Sequence, residues 1–235
     1  KKDTDVYTRL ETSMGSVTMI GSYWEISNVP INDSYIAGHP YNGIVGILRP
    51  EMIGSLASGA SWGAGSGSLG SAVSFDSVGQ FVRIATNGSF NMGNLQDFTF
   101  TMWINPTNTG STGVIVAKGF GGAGPGWGSR PSNAMRMWVG NGTTSTEVVG
   151  GVITQGVWQH VAGRRNGSLL SVYINGSIVN SGTSATAGSD LTNNNQLQIG
   201  NRPTNIQQFF GLIDDFRIFK TGLTIEEIGS IYRNG

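Results

Sequence analysis

The stretch Phe209–Tyr232, FFGLIDDFRIFKTGLTIEEIGSIY, sets a strand and a helix within one short span, and its reading decides the fold. In the first half, Leu212, Asp214, Phe216 and Ile218 alternate with Ile213, Asp215, Arg217 and Phe219; a period of two marks a β-strand. Both faces carry apolar groups, so cover is expected on each side, and the two carboxylates in the middle need partners. In the second half, Thr224 and Glu227 have the spacing of a capping box. Ile225, Ile228, Ile231 and Tyr232 form an apolar stripe, which predicts a helix of roughly two turns. Strand, Asp pair and helix make one terminal unit that docks on the rest.

Working outward, short strands recur between turn signals from Ser71 onward, the pattern of a β-sandwich. Val73 to Ile84 reads as a hairpin around Ser77-Val78-Gly79. Phe98 to Ile104 is a buried strand with Phe98, Phe100 and Met102 on one side. Gly113 to Lys118, Ala134 to Val139 and Glu147 to Ile153 read as further strands. Trp158 to Ala162 and Leu169 to Ile174 are joined through Arg165-Asn166-Gly167-Ser168, and Asn175-Gly176 makes the next turn. Leu197 to Gly200 completes the set. Trp103, Trp138, Trp158, Tyr173 and Phe216, all within strands, are expected in the core. Asn-Gly-Ser/Thr triplets at Asn87, Asn141, Asn166 and Asn175 match glycosylation acceptors, yet Asn-Gly is also a strong hairpin turn, the preferred reading at Asn166 and Asn175.

These blocks resemble, in order, the signature of the laminin-G-like jelly rolls, a branch of the concanavalin A-like lectin and glucanase superfamily. Val73-Ser74-Phe75-Asp76 with Phe81-Val82-Arg83-Ile84 is similar to its opening block, and Phe98 to Ile104 to its F-T-I-S-F-W-V. Trp158-Gln159-His160-Val161-Ala162 resembles its W-H-H-V-A, and Val172-Tyr173-Ile174-Asn175-Gly176 its L-Y-V-D-G. Ile213 to Phe219, followed by Leu223, Thr224, Glu226, Glu227 and Ile228, resembles its closing block. The resemblance implies an all-β, two-sheet antiparallel jelly-roll sandwich over residues 71–235 with a short C-terminal helix. It does not imply one function, because this superfold hosts lectins, hydrolases and adhesive modules.

The 235 residues are enough for one such domain and an arm. Fourteen basic side chains balance fourteen acidic ones, which gives no general attraction for nucleic acid or an anionic membrane. With 12% charged residues and 37 glycines, the surface is made of Ser, Thr, Asn and Gln, groups that suit hydrogen-bonding ligands such as sugars. Cysteine is absent, which removes disulfides and thiolate chemistry. No apolar run approaches a membrane span, and KKDTDVYTRLE does not read as a signal peptide. Residues 1–70 read as an extended N-terminal arm. Val6 to Glu11 and Val17 to Ile26 look like strands, prolines break the pattern, and GASWGAGSGSLG (Gly59 to Gly70) has the composition of a linker. Trp62 within it implies docking on the domain or on a neighbouring subunit.

For catalysis, a glucanase-like site needs an acid and a nucleophilic carboxylate facing each other, roughly 5 Å apart. Asp214-Asp215 would lie on opposite strand faces and Glu226-Glu227 in a helix's first turn, so neither pair can flank a bond. His39 and His160 are the two imidazoles, and His160, in a strand, reads as a packing residue. The chain is therefore expected not to be an enzyme. The resemblance implies a structural calcium held by Asp214, with Asp76 and Gly79 of the opening turn completing the shell. Glycan contact is expected at Trp127 and Arg130, in the glycine-rich stretch Gly119 to Pro131 read as an exposed loop, and at Asn201 and Arg202. The expected role is a non-enzymatic surface or adhesion module, a component of a large oligomeric assembly such as a virion decoration or fibre protein, with glycan recognition as an added duty. Residues 1–70 would hold protein partners, outside the cell or on a virion surface. The alternative is a dedicated lectin module of an extracellular protein.

Overall fold

A computed structural model of the chain describes residues 17–20, 23–26, 44–48, 61–64, 71–84, 90–108, 113–119, 124–202 and 207–234. Along the chain these form β1 (Val17–Ile20), β2 (Tyr23–Ile26), β3 (Ile44–Leu48), β4 (Ser61–Ala64), β5 (Ser71–Phe75), β6 (Val82–Ile84), β7 (Phe98–Pro106) and β8 (Val116–Gly119). Then come β9 (Pro125–Ser132), β10 (Ala134–Asn141), β11 (Ser145–Gly150), β12 (Gln159–Asn166), β13 (Leu169–Ile174), β14 (Ser177–Thr183), β15 (Leu197–Ile199), β16 (Gly211–Phe219) and helix α1 (Ile225–Asn234). The strand reading of Val6 to Glu11, together with His39 and Asn87, lies outside the described residues.

Two antiparallel sheets of six strands face each other, in the orders β6-β15-β8-β9-β10-β11 and β14-β13-β12-β7-β16-β5, with strands from residues 17–64 added at their edges. β2 runs parallel to β6 and carries β1 outside it; β4 pairs with β5, and β3 pairs with the last residues of β16. The segment read as one strand, Val17 to Ile26, is the hairpin β1–β2, in which Ile20 pairs with Tyr23. Ser61–Ala64, within the stretch read as a linker, is a strand in register with Ser71–Ser74. The Val73–Ile84 hairpin is corrected as well: β5 belongs to one sheet and β6 to the other, so the turn at Ser77-Val78-Gly79 carries the chain across the sandwich. At Asn175-Gly176 the expected hairpin turn is present, with φ of 49° and 76° at the two central residues, the pair of positive values that a two-residue turn requires.

Phe98, Phe100, Met102, Met137, Val139, Val161, Val172, Ile199 and Ile213 fill the space between the sheets. β16 does not keep the simple alternation that its sequence suggests. Asp214 pairs with Trp103 and Arg217 with Thr101, three residues against two, which defines a β-bulge. The extra residue shifts the phase by one, so that Ile213, Phe216 and Ile218 all reach the central core. Phe219 turns to the far side, where it packs with Ala162, Tyr173, Leu223, Ile228 and Ile231 beneath α1. Asp215 takes φ 46° at the bulge, and its carboxylate meets Arg217 Nη2 at 2.5 Å. The capping box is formed: Thr224 N–H donates to Glu227 Oε2 at 2.7 Å, and Glu227 N–H donates to Thr224 Oγ1 at 3.2 Å.

At one end of the sandwich, two buried cations tie the loops. The Arg165 guanidinium, wholly buried, donates to the backbone carbonyls of Gly93, Gln96, Ala187 and Ser189. The Lys118 ammonium, 1% exposed, donates to the carbonyls of Asn193 (3.1 Å) and Asn195 (2.7 Å). Burial pulls Arg165 down to about 10, against the raising charges of Asp97 and Asp190, and pulls Lys118 down to about 8; both remain cationic at neutral pH. Replacing Arg165 leaves these carbonyls buried and unpaired. Arg165→Met is expected to cost at least ~3 kcal/mol of unfolding free energy, read as a lowered urea midpoint.

Candidate ligand-binding face

The glycine-rich stretch expected as an exposed loop contains a central strand. β9 pairs with β8 on one side and along its whole length with β10 on the other. Trp127 is fully buried, its ring 5.1 Å from that of Phe98 and stacked on that of Phe100 at 5.9 Å. Gly126 and Gly128 occupy the outward positions that polar residues usually fill, which hides the period of two from a hydropathy reading. Trp127 is thus a core residue, and the expectation of ligand contact there is corrected.

The outer face of the same sheet carries a different tryptophan. Val116, Met137, Val139, Leu197 and Ile199 point into the core, so Ala117, Gly128, Trp138 and Gln198, in register with one another across four strands, point away from it. Trp138 lies directly over Gly128, where a Cβ would come within 2.5 Å of the indole ring; only glycine lets the ring rest on the sheet. One step along, Arg130 and Arg136 stand opposite each other, and Glu147 on β11 stands opposite Trp138. Glu147 bridges both guanidiniums, at 2.9 Å to Arg130 and 3.1 Å to Arg136. These three side chains retain 27–29% exposure, so water and solutes reach the cluster. Arg202 joins from the loop after β15: burial first, then the charge of Arg130, lowers its pKa, and its Nη1 donates to Gln207 Oε1 at 2.7 Å. Gln198 is 2% exposed, and its side-chain carbonyl has no partner among the described residues.

Of the expected ligand residues, then, Arg130 is partly exposed on this face, and its charge is felt by Arg202. Asn201 is wholly buried and committed to its own loop: Oδ1 accepts the N–H groups of Arg202 and Gln207, and Nδ2 donates to Gln208 Oε1. Trp138, expected in the core, lies instead on the outer face and is only partly buried. Its signal was present, since Met135, Met137 and Val139 claim the inward phase of β10 and leave Trp138 outward.

The residues expected to hold calcium do not form one ligand set. Ile213 is level with Val73 and Gly211 with Phe75, so Asp76 lies four positions along from Asp214, about 13 Å. Asp76 Oδ1 accepts from Ser77 Oγ and Gln80 Nε2, and the Gly79 N–H donates to Gln208 Oε1. Asp214 is buried, and its Oδ1 accepts the Asp215 N–H at 2.8 Å. Among the described residues no three His, Asp or Glu side chains gather as a metal site.

On the outer face of the second sheet, His160 is packed with Trp103 and with Tyr232 of α1, ring centroids 5.5 and 5.9 Å away. It is 1% exposed, and neither ring nitrogen has a hydrogen-bond partner among the described residues. Burial, with a smaller contribution from the Arg217 charge, pushes its pKa down to about 3.

The fold defines the class, a two-sheet jelly-roll sandwich. The chain belongs to the concanavalin A-like lectin/glucanases superfamily, whose laminin-G-type family model matches residues 76–229. It is 24% identical over 148 residues to the adhesion G-protein coupled receptor V1 of Danio rerio, a match covering 59% of the chain and only 2% of that receptor. Among solved structures it is similar to the binding domain of Paraclostridial Mosquitocidal Protein 1, with TM-score 0.60 and 15% identity, over 96% of this chain and 53% of that one. It is also similar to domain 4 of AbnA, an extracellular arabinanase of Geobacillus stearothermophilus solved with arabinotriose, with TM-score 0.58 and 20% identity, over 83% and 91% of the two chains. No helix among the described residues is long and apolar enough to cross a membrane.

His160 gives a pH prediction. The unfolded imidazole titrates near 6.5 and the folded one near 3, so the neutral ring costs nothing above pH 6.5. Below that value each pH unit withdraws about 1.4 kcal/mol. Between pH 7 and 5 the native protein is expected to lose about 2 kcal/mol more than a His160→Asn variant, measured by denaturant unfolding at each pH.

Proposed function

We propose that this domain is a non-enzymatic adhesion module, acting outside the cell, that binds a glycan on the outer face of the sheet containing β9 and β10. One observation carries the reading: Trp138 lies flat over Gly128 beside the Arg130–Glu147–Arg136 cluster. An indole held on a β-surface offers a broad apolar ring for the C–H face of a sugar, and the flanking guanidiniums and carboxylate supply hydrogen bonds to its hydroxyls. The superfamily and the arabinotriose-bound neighbour support this reading. Asp215 is paired with Arg217, and Glu227 serves its own helix N-terminus, so neither adjacent acidic pair offers an acid and a nucleophile to one substrate.

A second reading, a component of a large assembly such as a virion decoration or fibre protein held through residues 1–70, is favoured by β1 and β4. Residues 17–64 add strands at the edges of both sheets, which are positions where another chain can also pair. The two roles separate experimentally: an assembled state that persists in Trp138→Ala while glycan binding disappears assigns assembly to the arm and recognition to the sheet.

A glycan array with the full chain is expected to show binding that falls at least tenfold in Trp138→Ala with the melting temperature nearly unchanged, whereas Trp127→Ala is expected to cost about 3–5 kcal/mol of stability. Chelator is expected to leave binding unchanged, because Arg165 and Lys118 already hold the loops. Binding that survives Trp138→Ala in full rejects this face as the site.

A further inference from the structure

We infer that the ligand taken by this face carries a carboxylate, an acidic sugar, and that Glu147 occupies the carboxylate's position in the free protein. The inference rests on the glycan-binding reading and specifies its ligand class.

Three neighbouring strands contribute the parts. Arg130 on β9 and Arg136 on β10 are directly opposed, and both reach the two oxygens of one Glu147 carboxylate from β11. Arg130 presents both Nε and Nη2 to Oε1, at 3.2 and 2.9 Å, while Arg136 Nη1 donates to Oε2 at 3.1 Å. Charge-assisted N–H groups from two guanidiniums, two from Arg130 on one oxygen and one from Arg136 on the other, are the kind of donors by which arginine recognises carboxylates generally. Two cations share one anion here, and Arg202 adds a third close enough for the charge of Arg130 to act on it. Among the described outward side chains of the six strands of this sheet, Glu147 is the sole carboxylate. Around the Trp138 ring, then, two guanidiniums from β9 and β10 share one carboxylate from β11.

A half-exposed pair of this kind contributes little to stability, so exchanging its anion costs little. A sugar resting on Trp138 and carrying a carboxylate at the ring edge would place that group near the two arginines, because Glu147 is itself the cross-strand neighbour of Trp138. The side chain of Glu147 then swings toward solvent, and the ligand inherits its hydrogen bonds. Neutral sugars gain the stacking contact but leave the cluster as it is.

The test titrates the full chain with oligogalacturonate, with its methyl ester as the uncharged counterpart, and with 3′-sialyllactose against lactose, at low and high salt. Three proteins are compared: the native chain, Glu147→Gln and Arg136→Gln. The expected result is that at least one acidic sugar binds and its neutral counterpart binds at least tenfold more weakly. Glu147→Gln should tighten acidic binding severalfold by removing the internal competitor, Arg136→Gln should weaken it about tenfold, and salt should weaken it throughout. The two acidic probes distinguish a uronate from a sialate. If neutral sugars bind as well as acidic ones and Glu147→Gln changes nothing, this inference is overturned while glycan binding at Trp138 stands. If no probe on the array or in the titration binds, both fail. Circular dichroism of each variant confirms its fold, so a loss of binding is read as a loss of contact.

Discussion

The fold depends at one end on a buried guanidinium whose hydrogen bonds go to backbone carbonyls. Arg165 rises from β12 and closes on backbone carbonyls of Gly93, Gln96, Ala187 and Ser189, segments remote from one another in sequence. Loop carbonyls buried at the rim of a sandwich would each cost free energy without a donor, and one rigid planar fork satisfies several together. Lys118 does the same for Asn193 and Asn195. Asp97 contributes from the other direction, its Oδ1 accepting the Gly167 N–H at the turn between β12 and β13. Loops that many proteins would organise around a bound ion are organised here by side chains of the chain itself, which suits a domain without cysteine.

The two outer faces of the sandwich have been put to different uses. On the second sheet, the bulge at Asp214–Asp215 changes the phase of β16, sends Phe219 under α1, and makes room for the Trp103, His160 and Tyr232 rings to pack together. That face is closed by the helix. On the first sheet no helix among the described residues lies over β9 and β10, and small residues, Ala117, Gly128 and Gly140, give a low floor on which the partly buried Trp138 indole rests beside arginines. The open face is thus the one with side-chain chemistry suited to a ligand.

Much of this was legible in the chain. The strand over Gly211–Phe219, the Thr224–Glu227 box and the Asn175-Gly176 turn each express a local rule, and each is present, although the strand's alternation breaks at Asp214–Arg217. The bulge was not legible, because adding one residue leaves composition and approximate period intact while inverting every side chain beyond it. β9 was hidden for a different reason: glycine reads as a loop, although here it fills the outward positions of a central strand so that Trp138 can lie flat. The site was legible in part for the same cause. Arg130 and Arg202 could be named as polar residues near the loops, but the phase of β9 and β10 turns Trp127 inward and Trp138 outward, the reverse of what their surroundings in the sequence suggest.

The β5–β16 pairing has a mechanical consequence. Phe75 lies opposite Gly211 and Val73 opposite Ile213 in antiparallel register, so the start of β5 and the end of β16 leave the sheet in the same direction. Tension applied at Ser71 and Phe219 themselves, once β4 has parted from β5 and β3 from β16, would load this ladder by peeling, one hydrogen-bonded pair after another, and not by shear across all pairs at once. β9 and β10 lie in the other sheet, away from that seam. Pulled from these two points, the sandwich would open along the β5–β16 ladder while the β8–β9–β10–β11 ladders of the other sheet stayed closed.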